Sequence, residues 1–255
     1  MLTVGLPLYR ARAIVWLALE SLCRQEGAGE WELLLCEESH GEAVGWDGVS
    51  PYVERLRAAG CVRVEFVPLV GGWIPLSLKW HLIGQVMSLH SAGLILQAAD
   101  CYSHPRRLAV TRRALGGGAT WVQQPRGLFY HAHTGEAALF DLDHPDGYSH
   151  PTALSMAICG AAAREIPVMA IRRGVDSALY RWCERREGFA VATVEEGWRE
   201  GLDTHGQGRI STGRDGLMRE RIAPFREPEG PQADDPLCYL PGDIAERLRA
   251  MRGEA

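Results

Sequence analysis

Carboxylates stand at the ends of two apolar runs in this chain. Leu94-Ile95-Leu96-Gln97-Ala98-Ala99 leads to Asp100, and Cys101-Tyr102-Ser103-His104-Pro105 follows it as a polar turn closed by proline. Trp31-Glu32-Leu33-Leu34-Leu35-Cys36 leads to the pair Glu37-Glu38, ahead of Ser39 and the turn-forming Gly41. A short apolar run is the pattern of a buried parallel strand, and open α/β sheets collect ligands beyond the carboxyl ends of their strands. Asp100 therefore stands where a bound metal or phosphate would be met, and the acidic pair reaches the same rim.

The segments that must position these groups alternate in type. Leu2 to Leu6 reads as a strand, Pro7-Leu8-Tyr9-Arg10 as a break, and Ile14 to Leu22 carries apolar residues at helical spacing. A helix is expected over 51–59, an alternating strand over 61–67, and a helix over 76–90 with Lys79 in its first turns. Three strand-helix alternations before residue 100 predict an α/β fold with a mostly parallel, doubly wound sheet and helices on both faces. Beyond it, a helix is expected over 106–115, a strand over 119–123, and a hairpin from 127–131 and 138–141. A strand over 152–158, a helix over 176–186 and a last core strand over 189–194 follow, then a loop over 200–216. The four prolines and many acids of 224–236 suit an extended linker, with a short helix from 241 to 251. The predicted organisation is one domain over 1–223, a linker over 224–240 and a helical tail over 241–255.

Composition narrows the function. The 255 residues, 46% hydrophobic and 23% charged, suffice for a globular core. A net charge of −5 offers no general attraction to nucleic acid or anionic membrane, so a phosphate must be met by local groups or a metal ion. Seven scattered cysteines contain no Cys-x-x-Cys pair, which argues for reduced core thiols rather than a zinc site or disulfide framework. No run of about 18 apolar residues and no signal-peptide pattern is found, so a soluble, cytoplasmic protein is the expectation. Oligomeric state is open.

The ordered motifs resemble family 2 of the nucleotide-sugar glycosyltransferases, which have the GT-A fold, over roughly residues 2–215. Val4-Gly5-Leu6-Pro7-Leu8-Tyr9-Arg10 is similar to the family's opening strand and its Pro-x-Tyr-Asn turn, and Glu32 to Ser39 to the strand ending in Asp-Asp-Gly-Ser. Gln97-Ala98-Ala99-Asp100 with His104-Pro105-Arg106-Arg107-Leu108 stands where the family has its Asp-x-Asp segment and a proline-led helix. Gly174-Val175-Asp176 resembles the Glu-Asp helix start, and His205-Gly206 to Ile210-Ser211 the late His-Gly-x-Asn-x-Ser loop.

The resemblance implies a division of labour. Pro7, Tyr9 and Glu37 would border the base and ribose, with Glu37 or Glu38 accepting hydrogen bonds from them. Asp100 would sit near Mg²⁺ or Mn²⁺ bridging the diphosphate, with His205 completing the coordination or touching a phosphate. Lys79 and Arg209 would be diphosphate contacts. Asp176 would be the general base that takes a proton from the acceptor hydroxyl in an inverting transfer; at a helix start it serves equally well as an N-cap. Trp73, Trp80, Tyr130 and Trp182 are candidates for stacking on sugar rings or for the core, and His131 and His133 for the acceptor side.

The chain departs from the family at Gln97 and Ala99, where acids are expected, and at Glu38 and Val175. Two functions therefore stand side by side: an inverting nucleotide-sugar glycosyltransferase, and a catalytically silent GT-A-like module that binds a nucleotide, a sugar or a protein. A Rossmann dehydrogenase is disfavoured because no Gly-x-Gly-x-x-Gly follows the first strand.

Overall fold

Aliphatic runs flanked by turns become the strands of a seven-stranded sheet. The computed structural model describes residues 1–38, 43–69, 74–132, 134–141, 156–171, 174–205, 223–224 and 235–251. The chain opens with β1 (Leu2–Leu8), α1 (Val15–Cys23), β2 (Trp31–Glu38), α2 (Gly45–Val49), α3 (Val53–Ala58), β3 (Cys61–Leu69), α4 (Leu76–Val86) and β4 (Gly93–Leu96). It continues with β5 (Cys101–Tyr102), α5 (Arg107–Gly116), β6 (Trp121–Gln123), β7 (Arg126–His131), β8 (Ala137–Asp141), β9 (Ala157–Cys159), α6 (Gly160–Ala163) and α7 (Val175–Glu184). Strands β10 (Val191–Thr193), β11 (Leu202–His205) and β12 (Ala223–Pro224) precede a C-terminal helix, Gly242–Met251.

The large sheet has the order β10-β6-β9-β4-β1-β2-β3. All its pairings are parallel except those of β9, which runs antiparallel to both β4 and β6. Alternation sends Leu2, Val4, Leu6 and Leu8 of β1 to the face covered by α1, α3 and the C-terminal helix. Leu34, Cys36, Leu94 and Leu96 point to the other face, against Trp80 and Ile83 of α4, Ala162 and Ala163 of α6 and Leu179 of α7. Helices thus cover both faces, as expected for a doubly wound sheet. Gly5 is required for this packing, since a Cβ there would come within 2.9 Å of the Trp80 ring. A second sheet, ordered β12-β8-β7-β11-β5, contains the expected hairpin of β7 and β8.

Several boundaries differ from expectation for identifiable reasons. Pro7 does not end β1, which runs on to Leu8. The Gly5 carbonyl accepts from Gln97 N, so the peptide groups of alternate residues 3, 5 and 7 face β4. Strand β4 has ended at Leu96 before it reaches Pro7, so the missing N–H breaks no ladder bond. Strand β10 is an edge strand with Val191 exposed rather than part of the core. The expected loop after 200 begins as β11, and of the expected strand over 152–158 only the end lies within the described residues.

The segments expected as a linker and a tail carry packed structure. Within the former, Pro236–Tyr239 form a 3₁₀ turn with Leu237 fully buried. The C-terminal helix places Ile244, Ala245 and Leu248 in the same core cluster as α1. Arg24, the residue that caps the carboxyl end of α1, donates to both carboxylate oxygens of Asp243, at 3.2 and 2.5 Å, and the Arg247 guanidinium lies 3.8 Å from the centroid of the Trp16 ring. Leu248→Ala is accordingly expected to lower the unfolding free energy by about 2–5 kcal/mol in urea titration. A helix hanging free would give a change near zero.

Candidate functional site

The chain leaves β1 toward β2 and β3 on one side, while β4 lies on the other. This reversal makes the carboxyl ends of β1 and β4 the topological switch point, where an open α/β sheet has its crevice. Tyr9 and Arg10 follow β1, Glu37 and Glu38 end β2, and Asp100 follows β4, so the expected site residues Tyr9, Glu37, Glu38 and Asp100 share one rim, with Arg10 beside them.

Adjacent residues on a strand face opposite sides of the sheet, and this divides the acidic pair. Glu37 turns to the α1 side, where its carboxylate accepts from the backbone N–H of Val44 at 2.7 Å and of Gly45 at 2.9 Å. It closes the start of α2, so the acceptor role expected of it toward a base is already filled by the chain's own backbone. Glu38 turns to the α4 side and forms an ion pair with Lys79, both almost wholly buried. The Lys79 ammonium also donates to the Leu8 carbonyl at 2.6 Å. Lys79 is therefore enclosed beneath the rim, which corrects its expected place as a diphosphate contact. Glu38 Oε1 receives no hydrogen bond among the described residues, an unfilled acceptor that calls for a donor. The Tyr9 ring lies between two cations, with Lys79 Nζ 5.6 Å and the Arg10 guanidinium 5.4 Å from its centroid.

Around Asp100 the departures from the family acquire a physical meaning. Gln97 is buried, its amide nitrogen donating to the carbonyls of Ala98 and Cys101, both at 2.9 Å. Its oxygen accepts from Ser103 Oγ at 2.6 Å and from Arg107 Nη1 at 2.8 Å. Arg107 donates further to the Leu96 carbonyl at 2.9 Å, and burial lowers its guanidinium to about 10, still cationic at neutral pH. Gln97 thus serves the interior rather than the cleft, and Ala99 has no donor atom. Among the described residues no three His, Cys, Asp or Glu side chains come together to hold a metal ion. Mg²⁺ is held in nucleotide sites by one or two carboxylates together with substrate phosphates, and on this turn Asp100 is the one carboxylate that would meet such an ion.

Sequence reading did not single out His104 or Arg107, whose roles depend on what folds over them. Gly197, at φ 78°, lies so close over the His104 ring that a Cβ would collide with Nδ1. Neither ring nitrogen has a partner among the described residues. Burial, and then the charges of Arg107 and Arg106, push the imidazole down to about 3.

The late segment does arrive at this turn. Strand β11 pairs antiparallel with β5, setting Leu202 opposite Tyr102 and Asp203 opposite Cys101. The backbone of His205 pairs with His131 of β7, while Arg209 lies outside the described residues, as do Trp73 and His133. Asp176 occupies the first turn of α7 after Gly174, at φ 67°. The far end of α7 brings Cys183 beside Cys159 around a cavity of about 130 Å³. Cys159 pairs with Gly93, the first residue of β4, so that cavity belongs to the opposite rim. A helix of ten residues spans about 15 Å, which separates Asp176 in its first turn from that cavity.

Other expectations resolve into packing. Trp80 and Tyr130 are buried in the core, Trp182 stacks with Arg186 at 4.8 Å, and His131 Nδ1 accepts from Thr134 N at 3.1 Å to close the β7 turn. Burial raises the thiols of Cys36 and Cys61 to about 11 and those of Cys23 and Cys183 to about 12. No described helix is long and apolar enough to cross a membrane.

Two outcomes follow from these contacts. Lys79→Met leaves the Glu38 carboxylate buried without its counter-ion and is expected to destabilise the fold by about 3–5 kcal/mol in urea titration, with Glu38→Gln restoring part of the loss in the double variant. His104 stays neutral in the fold to about pH 3 but takes a proton near pH 6.5 when unfolded, so the unfolded chain binds more protons between those values. Stability should fall as pH drops from 6.5 toward 3, and His104→Gln should show a smaller drop between pH 7 and pH 4.5 than the parent chain.

No protein-family model matches the sequence, and neither does any curated protein. Among solved structures, S. aureus TarS 1-349 in complex with UDP-GlcNAc superimposes with a TM-score of 0.59 at 12% identity, over 83% of this chain and 60% of that one. The same protein in complex with UDP gives 0.57 at 12% identity, over 80% and 61%. A longer TarS structure gives 0.54 at 11% identity, over 80% of this chain and 36% of that one. The chain thus spans well under two thirds of these neighbours. Its mixed α/β architecture, with a seven-stranded mostly parallel sheet wound on both faces, is the GT-A-type fold of nucleotide-sugar transferases.

Proposed function

We propose that the chain is an inverting glycosyltransferase that moves a sugar from a nucleoside diphosphate donor to an acceptor hydroxyl. The observation that carries this reading is the gathering of polar groups from the ends of β1 and β2 and from the turn after β4 on the switch-point rim of a GT-A-type sheet. Neighbours of the same fold hold UDP and UDP-GlcNAc, which favours a nucleoside diphosphate in that crevice.

In this reading the nucleoside lies at the β2 side, against Tyr9 and beside Pro7, above the buried Glu38–Lys79 pair. Asp176 accepts the proton of the acceptor hydroxyl as its oxygen bonds to the anomeric carbon. The bond from that carbon to the diphosphate oxygen breaks on the opposite face, and the nucleoside diphosphate leaves with the electron pair. His205 and Arg209 are assigned to the phosphate side. Asp100 borders the sugar-phosphate end of the cleft.

Gln97 and Ala99 favour a second reading, a silent module that binds without turnover. Calorimetry with UDP and GDP, followed by an assay for release of nucleoside diphosphate from donor sugars, separates the two. Asp176→Asn is expected to leave nucleotide affinity within twofold and to lower turnover by about 10² or more. Turnover equal to that of the parent would remove Asp176 from the chemistry, and binding without any turnover in the parent would establish the module.

A further inference from the structure

We propose that Arg10 is the cation that meets the donor's diphosphate, a role that rests on the donor reading given above. Three observations lead to it. Lys79 is neutralised by Glu38 and enclosed beneath the rim, so it is withdrawn from the phosphates. The turn after β4 offers Asp100 with Gln97 turned inward and Ala99 inert, so that turn presents a carboxylate to a ligand that is itself anionic. Arg10 is the one described non-glycine residue with positive φ, at 50°. That conformation is costly for a long side chain and marks a place where the surroundings impose it.

The strand order adds the geometry. Arg10 follows β1, which lies between β2, carrying Glu38, and β4, carrying Asp100. A nucleotide lying from the β2 side to the β4 side must pass its phosphates over the end of β1. There the Arg10 guanidinium is stacked on Tyr9, partly exposed, with its planar fork suited to two phosphate oxygens. Where the resembling family carries asparagine in its Pro-x-Tyr-Asn turn, this chain holds an arginine at φ 50°.

The test compares UDP with uridine by calorimetry, in Mn²⁺ and again in EDTA, for the parent chain and for Arg10→Asn, which relieves the strain while removing the charge. Under whichever condition the parent binds UDP, Arg10→Asn should weaken UDP about tenfold or more, and uridine less than twofold. Arg10→Lys should recover part of the UDP affinity. Equal losses for UDP and uridine, or no loss for either, would overturn the assignment while leaving the donor reading intact. Failure of the parent chain to bind UDP or GDP under both conditions would remove the donor reading and this inference together.

Discussion

Strand β1 is held from both sides by parallel neighbours that the chain reaches in opposite directions, and the rest of the site depends on that arrangement. Because β4 ends at Leu96 while β1 runs to Leu8, the two part company at their carboxyl ends. The turns leaving there lack strand partners and must find other hydrogen-bonding groups. Gln97, Ser103 and Arg107 supply them on one side of the gap, and the backbone around 44–45 satisfies Glu37 on the other. A crevice with polar walls follows from the topology before any ligand is considered.

Charge at this rim is arranged by burial. Glu38 and Lys79 cancel each other below the surface, at a desolvation cost that makes each indispensable to the other. Arg107 is buried against carbonyl, amide and hydroxyl oxygens, so its charge is distributed among dipoles beneath the turn that carries Asp100. What remains at the surface of the β1 turn is Arg10 on Tyr9. In a chain of net charge −5, any attraction for an anion has to come from local groups.

Distant segments complete the frame. Strand β11 reaches β5 across about a hundred residues and sets Leu202 and Asp203 beside Tyr102 and Cys101. Gly197, in the same part of the chain, seals His104 beneath it. The C-terminal helix, some 140 residues further along than Asp100, locks onto α1 through Leu248 and Arg247. The rim is therefore supported from below by residues with no chemical role of their own.

The sequence by itself determined the fold class and the rim. Apolar runs ending in polar turns are legible because burial on both faces demands continuous hydrophobicity, and turn residues mark where it stops. It placed Glu37, Glu38, Asp100 and the start of the helix at Asp176, and it exposed the departures at Gln97 and Ala99. Only the tertiary structure decided what each group does. Whether Glu37 or Glu38 faces α4 depends on strand alternation set by a register, which local sequence does not carry. Lys79 looked like a phosphate contact until the approach of α4 to β1, permitted by Gly5, buried it against Glu38. The hydrogen bonds that hold Gln97 inward and the packing that strips His104 of partners come from residues far along the chain. Such contacts are properties of three-dimensional proximity, and spacing along one dimension does not encode them.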